Sequence, residues 1–220
     1  PAGYIDLDRD SGRQRSINPS STRDVLASQP CYYIFTSGTT GMPKASIMTH
    51  YRWLASMAGV GNATMRLKSD DIFYCCLPLY HNNALTVAWG CVLSAGATLA
   101  IDRKFSASQF WDRIRHYDAT AFTYIGELLR YLLNRDATPH DKSHRVRLIT
   151  GNGLRPEIWQ QFQKRFGIER IYEFYGASES NIGFINAFGV SETAGFSPLP
   201  FAIVEFDADS DEPVKNTKGH

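Results

Sequence analysis

The amino-acid sequence predicts an α/β fold, with a largely parallel sheet flanked by helices and a β-rich C-terminal end. Apolar runs of strand length alternate with amphipathic segments along most of the chain. Several runs are apolar at consecutive positions, which is typical of strands covered on both faces. Alternation of strands and helices implies right-handed crossovers between parallel strands. After Gly176 the pattern changes to short strands punctuated by glycine and proline, without helices.

Each predicted strand is a short apolar run bounded by turn or helix signals. These runs are Cys31–Thr36, Ala45–Thr49, Ile72–Leu77, Thr98–Ile101, Thr120–Ile125, Val146–Thr150 and Arg170–Phe174. No shift in composition marks a domain boundary, so we expect residues 1–220 to form a single partial domain. A subdivision into an α/β portion, 25–176, and a β-rich portion, 177–220, is compatible with the same pattern.

Capping signals predict where the helices begin and end. Ser106 and Gln109 have the spacing of a capping box, and Phe105 and Phe110 that of a hydrophobic staple, so a helix is predicted after Ser106. A second helix is predicted from a proline suited to the first turn, at 156, to a glycine suited to the end, at 167. A third is predicted over 127–134, where a leucine stripe lies on one face.

One uncharged stretch raises the question of a membrane span. Ala84–Ile101 contains 18 residues without a charge, which is the length at which a spanning helix must be considered. Gly90, Ser94, Gly96 and Thr98 interrupt the stretch. We therefore predict a buried helix of about 12 residues followed by a strand.

Charge and cysteine content exclude several classes of protein. The 23 basic and 22 acidic residues are spread along the chain, so we expect no basic face and no nucleic-acid partner. The four cysteines have no C-x-x-C spacing and three lie in apolar runs, which favours a reducing compartment. The N-terminal Pro-Ala-Gly shows no signal-peptide pattern and resembles the start of an excised piece. We therefore expect a cytoplasmic protein.

The strongest local signal directly follows the first apolar strand. It consists of Thr36, Ser37, Gly38, Thr39, Thr40, Gly41, Met42, Pro43 and Lys44. Glycines let backbone amides turn towards an anion, hydroxyl groups add donors and Lys44 adds positive charge, so the loop suits a polyphosphate. Pro43 precedes the lysine and no Ser or Thr follows it, which separates this loop from the common P-loop of kinases. A polar connection between two strands is the plain structural alternative.

This loop resembles the signature loop of the adenylate-forming superfamily, which includes acyl-CoA synthetases, firefly luciferase and peptide-synthetase adenylation domains. Other family motifs follow in the same order. Leu77–His81 resembles the second core motif, Gly151–Arg155 the adenine-side loop and Tyr175–Glu179 the YGxTE motif. The resemblance implies the central part of the large N-terminal, AMP-binding domain of such an enzyme.

Further stretches resemble one branch of that superfamily. Lys104–Trp111, Tyr124–Asn134 and Glu173–Gly176 are similar to fatty acid transport proteins and very-long-chain acyl-CoA synthetases. The branch implies a fatty acyl-CoA ligase, which uses ATP and Mg²⁺ to adenylate a fatty acid and then forms a thioester with coenzyme A. It also implies peripheral association of the full-length protein with a membrane on its cytoplasmic face.

The resemblance assigns roles to individual residues. Those implied to bind ATP or AMP are Thr36, Ser37, Gly38, Thr39, Thr40, Gly41, Lys44, Gly151, Asn152, Gly153, Tyr175, Gly176, Ala177 and Ser178. Lys44, Glu179 and His81 are the implied catalytic residues, and Glu179 is also the implied Mg²⁺ ligand. Ser178 stands where the family usually has Thr, which keeps the hydroxyl but loses the methyl that restricts χ1. Asn82 and Asn83 are more polar than we expect beside a fatty acyl chain.

Several alternatives remain open at this stage. The chain could be a non-catalytic nucleotide-binding or partner-binding module on the same fold, or its enzyme could adenylate a different carboxylate. A kinase-like phosphotransferase is disfavoured by the missing G-K-[ST]. The family's ribose-binding Asp motif, hinge and small C-terminal catalytic domain are not found before His220, so we expect this chain alone to be inactive.

Overall fold

The first two strands form an antiparallel pair of their own. The computed structural model describes residues 10–12, 16–36, 42–180, 182–202, 204–207, 209–210 and 212–214. A 3₁₀ turn, Ser20–Asp24, precedes β1 (Pro30–Thr36), which pairs with β2 (Lys44–Thr49). Thr36 lies opposite Lys44 in this register, so the two ends of the Gly-rich loop are side by side.

A six-stranded sheet forms the centre of the fold. Its strands are β3 (Ile72–Cys75), β4 (Thr98–Ile101), β5 (Ala121–Ile125), β6 (Leu148–Asn152), β7 (Arg170–Gly176) and β8 (Gly183–Ile185). They lie in the order β4-β3-β5-β6-β7-β8. All neighbours pair in parallel except β7 and β8, which are antiparallel. A last short pair, β9 (Phe206–Asp207) and β10 (Glu212–Pro213), makes a separate antiparallel ladder. The predicted fold class is confirmed.

Helices connect the strands. They are α1 (α-helical His50–Ser56, then π-helical Met57–Met65), α2 (π-helical Asn83–Ala88, then α-helical Trp89–Ala95), α3 (Phe110–His116), α4 (Gly126–Leu133) and α5 (Pro156–Phe166). Helices α1 and α2 approach closely at Gly61, where a Cβ atom would lie 2.5 Å from Ser94 Oγ. Within the described residues, none of the helices has the length and apolarity needed to span a membrane. The uncharged stretch is divided between α2 and β4, as predicted.

The predicted boundaries hold where a single residue determines them. Pro156 begins α5, and Gly167 ends it with a left-handed φ of 68°. The prediction for β6 was shifted by two residues, because Gly151 and Asn152 continue the parallel ladder with β5 although both are common turn residues. Strand β3 ends at Cys75, earlier than predicted.

The predicted capping box was wrong. Helix α3 begins at Phe110 with Gln109 as its N-cap and without a side-chain cap. The Ser106 hydroxyl instead pairs with the Ser108 hydroxyl at 3.2 Å, and the backbone N–H of Gln109 donates to the Ser106 carbonyl. The turn before α3 therefore occupies the Ser106 hydroxyl and the Gln109 N–H, which a capping box would need. The Phe105 and Phe110 rings do meet, 5.9 Å apart.

Large side chains fill the layers on either side of the sheet. The fully buried aromatic residues include Phe73, Tyr74, Phe110, Phe122, Tyr124, Trp159, Phe162 and Phe166. Cys75, Cys76 and Cys91 are buried, while Cys31 is exposed. Burial raises the pKa of Cys76 and of Cys91 to about 12, so both remain thiols at neutral pH.

The buried carboxylate of Asp71 connects segments at the edge of the sheet where the parallel strands β3, β5 and β6 begin. Asp71 accepts hydrogen bonds from the Thr120 hydroxyl at 2.6 Å, from the Lys68 N–H at 2.7 Å and from the Arg147 guanidinium. Its side chain is 5% exposed. Burial alone would raise the pKa of Asp71, but these hydrogen bonds outweigh it, so the pKa is lowered.

We expect Asp71→Asn to destabilise the protein at neutral pH by about 2 kcal/mol, because Arg147 and two other donors lose their charged acceptor. A carboxylate with a lowered folded-state pKa stabilises the fold above its unfolded pKa, and this contribution disappears as the pH falls. Urea unfolding compared between pH 7 and a pH below about 3.9, the unfolded pKa of an aspartate, should therefore show a smaller pH dependence in the variant. Asp112→Asn, at an exposed pair with Arg115, is the control and should change stability by under about 0.5 kcal/mol. An equal effect of both variants would contradict the prediction.

Candidate active site

The carboxyl ends of the parallel strands bring most of the predicted site residues to one edge of the sheet. The chain leaves β3 towards His81, leaves β6 after Asn152 into Gly153, and leaves β7 into the turn that contains Glu179. Because β3, β5, β6 and β7 are parallel, these exits share one edge. Ligands of open α/β sheets bind in the crevice at this edge.

The β1–β2 pair reaches the same edge from outside the sheet. The Thr36 hydroxyl is the main group that lowers the pKa of Glu179, and the positive charge of Lys44 contributes as well. Thr36 and Lys44 are the two ends of the Gly-rich loop. Ser37, Gly38, Thr39, Thr40 and Gly41, which were predicted to bind phosphate, lie outside the described residues. The two described ends of the Gly-rich loop therefore lie near Glu179, whose carboxylate is exposed and ionised at neutral pH.

Two side chains from β2 and α1 hold the turn that contains Glu179. The Ser46 hydroxyl donates to the Ser178 carbonyl. The Arg52 guanidinium donates to the carbonyls of Ser178 at 2.9 Å, Ser180 at 2.6 Å and Ile47 at 2.7 Å. These bonds engage the backbone carbonyls of the turn, not the side chains of Ser178 and Glu179.

The residues that begin α2 connect the second core motif to that turn. Asn82 donates from Nδ2 to Ser178 Oγ at 2.7 Å, and its Oδ1 accepts from the Thr86 hydroxyl at 2.6 Å. Asn83 turns the other way. Its amide donates to Asn152 Oδ1 at 2.8 Å and to the Tyr124 carbonyl at 3.0 Å. The two asparagines that looked too polar for an acyl pocket are therefore bound to the turn after β7 and to the ends of β5 and β6.

A buried carboxylate in β7 anchors the loop after β6. Glu173 is buried in β7, and its carboxylate accepts from the Leu154 N–H at 3.0 Å and from the Tyr124 hydroxyl. Burial raises the pKa of Glu173, and these hydrogen bonds offset only part of that increase. Gly151 packs against β5, where a Cβ atom would lie 2.2 Å from the Tyr124 carbonyl oxygen. Gly153 has a left-handed φ of 79°.

The remaining predicted residues are open to solvent. Tyr175 is 63% exposed, and its ring centre lies 6.2 Å from that of Phe184 with the two rings tilted by 60°. Gly176 has no atom within 4 Å of a Cβ position. His81 is exposed at the start of α2, where its ring lies 4.6 Å from the Tyr80 ring. Ala177 is exposed in the same turn as Ser178.

The sequence analysis did not predict the hydrogen bonds that support the site. The side chains that make them belong to Ser46, Arg52, Asn82, Asn83 and Glu173. One signal was visible for Glu173, because an acidic residue inside an otherwise apolar buried strand needs hydrogen-bond partners. Within the residues that the structure describes, no cluster of three or more His, Cys, Asp or Glu side chains could hold a metal ion by itself.

Comparison with known proteins identifies the family. The family described as AMP-binding enzyme matches residues 4–219 of this chain. The chain belongs to that family. Among curated relatives, the medium/long-chain-fatty-acid–CoA ligase FadD6 of Mycobacterium tuberculosis is 55% identical over 97% of this chain. The long-chain fatty acid transport protein 2 of Rattus norvegicus is 42% identical, also over 97%. The chain spans 36% and 35% of the length of these two relatives.

Solved structures share the fold of this family member. The anthranilate CoA ligase AuaEII in complex with anthranoyl-AMP matches with a TM-score of 0.76 and 17% identity, over 97% of this chain and 42% of that chain. ATP-bound MatB from Rhodopseudomonas palustris matches with a TM-score of 0.66 and 23% identity, over 88% of this chain and 39% of that chain. At such low identity these matches establish the fold alone.

We expect Gly151→Ala to destabilise the protein by about 3 kcal/mol, because the added methyl group would collide with the backbone of β5, which cannot move without breaking the parallel ladder. Gly176→Ala is the matched control, since its Cβ would meet nothing within 4 Å. Thermal unfolding should separate the two variants by several degrees. Equal melting temperatures would contradict the role given to Gly151.

Proposed function

We propose that this chain is the nucleotide-binding part of an ATP- and Mg²⁺-dependent fatty acyl-CoA ligase that releases AMP. The observation that carries the proposal is the hydrogen bond between the Thr36 hydroxyl and the ionised carboxylate of Glu179, because Thr36 and its strand partner Lys44 are the two ends of a hydroxyl-rich loop. Phosphate binding needs donors and positive charge, and a phosphate-bound cation needs an acidic ligand nearby. Residues 1–220 would then form one partial domain of a longer protein.

The proposed roles follow the geometry of the site. Thr36, the Gly-rich loop 37–41 and Lys44 would bind the β- and γ-phosphates, and the Ser178 hydroxyl would donate to the α-phosphate. The exposed ring of Tyr175 would stack on adenine, with the Gly151–Gly153 backbone at the edge of the base. The side chain of Asn152 is already committed to Asn83, so we assign the contact with adenine to the backbone of this loop.

The site suits Mg²⁺ when ATP is present. Mg²⁺ is bound in many enzymes by one or two carboxylates together with phosphate oxygens and water. Glu179 provides one exposed carboxylate, and its lowered pKa keeps it ionised. The ion would supply charge neutralisation for the departing pyrophosphate. Lys44 would add a second positive charge at the same place, without a covalent role.

The proposed chemistry has two steps. In the first step a carboxylate oxygen attacks the α-phosphorus, the bond to the bridging oxygen of the β-phosphate breaks, and pyrophosphate leaves with the electron pair. In the second step the thiolate of coenzyme A attacks the acyl carbon, and AMP leaves with the electrons of the anhydride bond. Because ATP supplies the leaving group, the protein contributes position and charge rather than a nucleophile. His81, exposed beside Asn82, would line the side from which the carboxylate approaches.

The names of the relatives support a fatty acid as the proposed substrate. FadD6 is named a medium/long-chain-fatty-acid–CoA ligase, and other relatives are named long-chain fatty acid transport proteins. We extend the same substrate class to the protein that contains this chain. Its cytoplasmic location and peripheral contact with the cytoplasmic face of a membrane belong to this proposal, because the substrate would partition into lipid.

The full-length protein should catalyse exchange of labelled pyrophosphate into ATP when a fatty acid and Mg²⁺ are present. Glu179→Gln should lower this exchange at least about 100-fold, because removal of one charged group from a transition-state site commonly costs that much. Glu157→Gln, on the exposed first turn of α5, should leave the exchange unchanged.

The choice of carboxylate and the reaction product separate the alternatives. Exchange that depends on an aromatic or dicarboxylic acid but not on a fatty acid would overturn the substrate assignment. Release of ADP without exchange would favour a phosphotransferase, and nucleotide binding without either reaction would favour a binding module. The 220-residue chain alone is expected to show no acyl-CoA formation.

A further inference from the structure

A chain of hydrogen bonds leads from β1 through α2 to the Ser178 hydroxyl. Tyr32 Oη lies 2.6 Å from Thr86 Oγ1, and Thr86 Oγ1 donates to Asn82 Oδ1 at 2.6 Å. Asn82 Nδ2 then donates to Ser178 Oγ at 2.7 Å. Thr86 is 4% exposed, so water competes little for its bonds.

The direction of these bonds determines what the Ser178 hydroxyl can do. Thr86 has a single hydroxyl proton, which it gives to Asn82, so the proton between Tyr32 and Thr86 must come from Tyr32. An amide whose oxygen is occupied by Thr86 presents its NH₂ group to Ser178. Ser178 therefore accepts from Asn82 and keeps its own proton to donate elsewhere. If the amide were reversed, Ser178 would donate to Asn82 and could not donate to a phosphate.

The same contact also fixes a side chain that would otherwise rotate. The carbonyl of Ser178 is held by Ser46 and Arg52, so the backbone is positioned, but a serine has no γ-methyl group to restrict χ1. The hydrogen bond from Asn82 supplies that restriction.

We propose that Asn82 is a positioning residue for the nucleotide. It would fix the Ser178 rotamer and direct the Ser178 proton towards the α-phosphate. The inference rests on the proposed function in its assignment of Ser178 to the α-phosphate, but it assigns the control of that contact to the first turn of α2. The residue next to Asn82, His81, lies on the proposed acyl side, so one helix end would position groups for both substrates.

The test measures the dissociation constant for AMP by titration calorimetry and the rate of pyrophosphate exchange, both with the full-length protein. Asn82→Ala should weaken AMP binding about fivefold and slow exchange about tenfold, the effect of losing one oriented hydrogen bond. In a Ser178→Ala background the same substitution should change either quantity less than twofold, because coupled residues are not additive. Asn134→Ala, exposed at the end of α4, is the matched control and should change neither.

Two further variants test the direction of the hydrogen bonds. Thr86→Val keeps the shape but removes the donor to Asn82 Oδ1, so the amide can reverse and take the Ser178 proton; we expect a loss as large as that of Asn82→Ala. Thr86→Ser should retain activity because the donor remains. Ser178→Thr in the Asn82→Ala background should recover part of the loss, since the methyl group again restricts χ1. A purely structural role of Asn82 predicts no such recovery.

The outcomes separate this inference from the proposed function. AMP binding that depends on Asn82 only when Ser178 is present, in a protein without fatty acid-dependent exchange, would overturn the proposed function and support the inference. Exchange in the parent protein that is unchanged by Asn82→Ala would overturn the inference alone. Equal losses from Asn82→Ala with and without the Ser178 hydroxyl would also overturn it. If Asn82→Ala does not fold, the comparison of Thr86→Val with Thr86→Ser decides the same question.

Discussion

The site depends on the hydrogen bonds that hold the turn after β7. Arg52 donates to the carbonyls of Ser178 and Ser180, and Ser46 donates to the carbonyl of Ser178. The β1–β2 pair is not part of the six-stranded ladder, so strand pairing does not align its loop with the carboxyl ends of the sheet. Side chains make that connection instead. Arginine suits the task because its planar guanidinium presents several donors in a fixed arrangement, whereas the single ammonium of lysine would engage the carbonyls less precisely.

Much of the fold could be predicted because local sequence determines it. Strands buried on both faces are apolar at successive positions, and Pro156 and Gly167 mark the ends of α5 through backbone constraints that act within one residue. Where a prediction was wrong, a competing local bond existed. Ser106 could have capped α3, but its hydroxyl pairs with Ser108, and sequence spacing alone cannot weigh these two uses of one hydroxyl.

The site was predictable only in part, and through resemblance rather than through local physics. Motif residues were recognised in chain order, but the bonds that support them join distant positions: Asn82 and Ser178 are 96 residues apart, and Ser46 and Ser178 are 132 apart. Such partners can be assigned only when the strand order is known. Asn82 and Asn83 were noticed because they are polar, yet their partners could not be inferred from the sequence.

The π-helical start of α2 makes the length of this segment as important as its composition. Asn82 and Asn83 are adjacent in sequence, yet they bind different loops, and the wide turns of Asn83–Ala88 carry the chain from these contacts into the regular helix. Deletion of one residue here would change the rotation of the first turn relative to the rest of the helix. Both amides would then point away from their loops even if every other residue were kept. Evolution or engineering of this helix can therefore exchange side chains more easily than it can add or remove a residue.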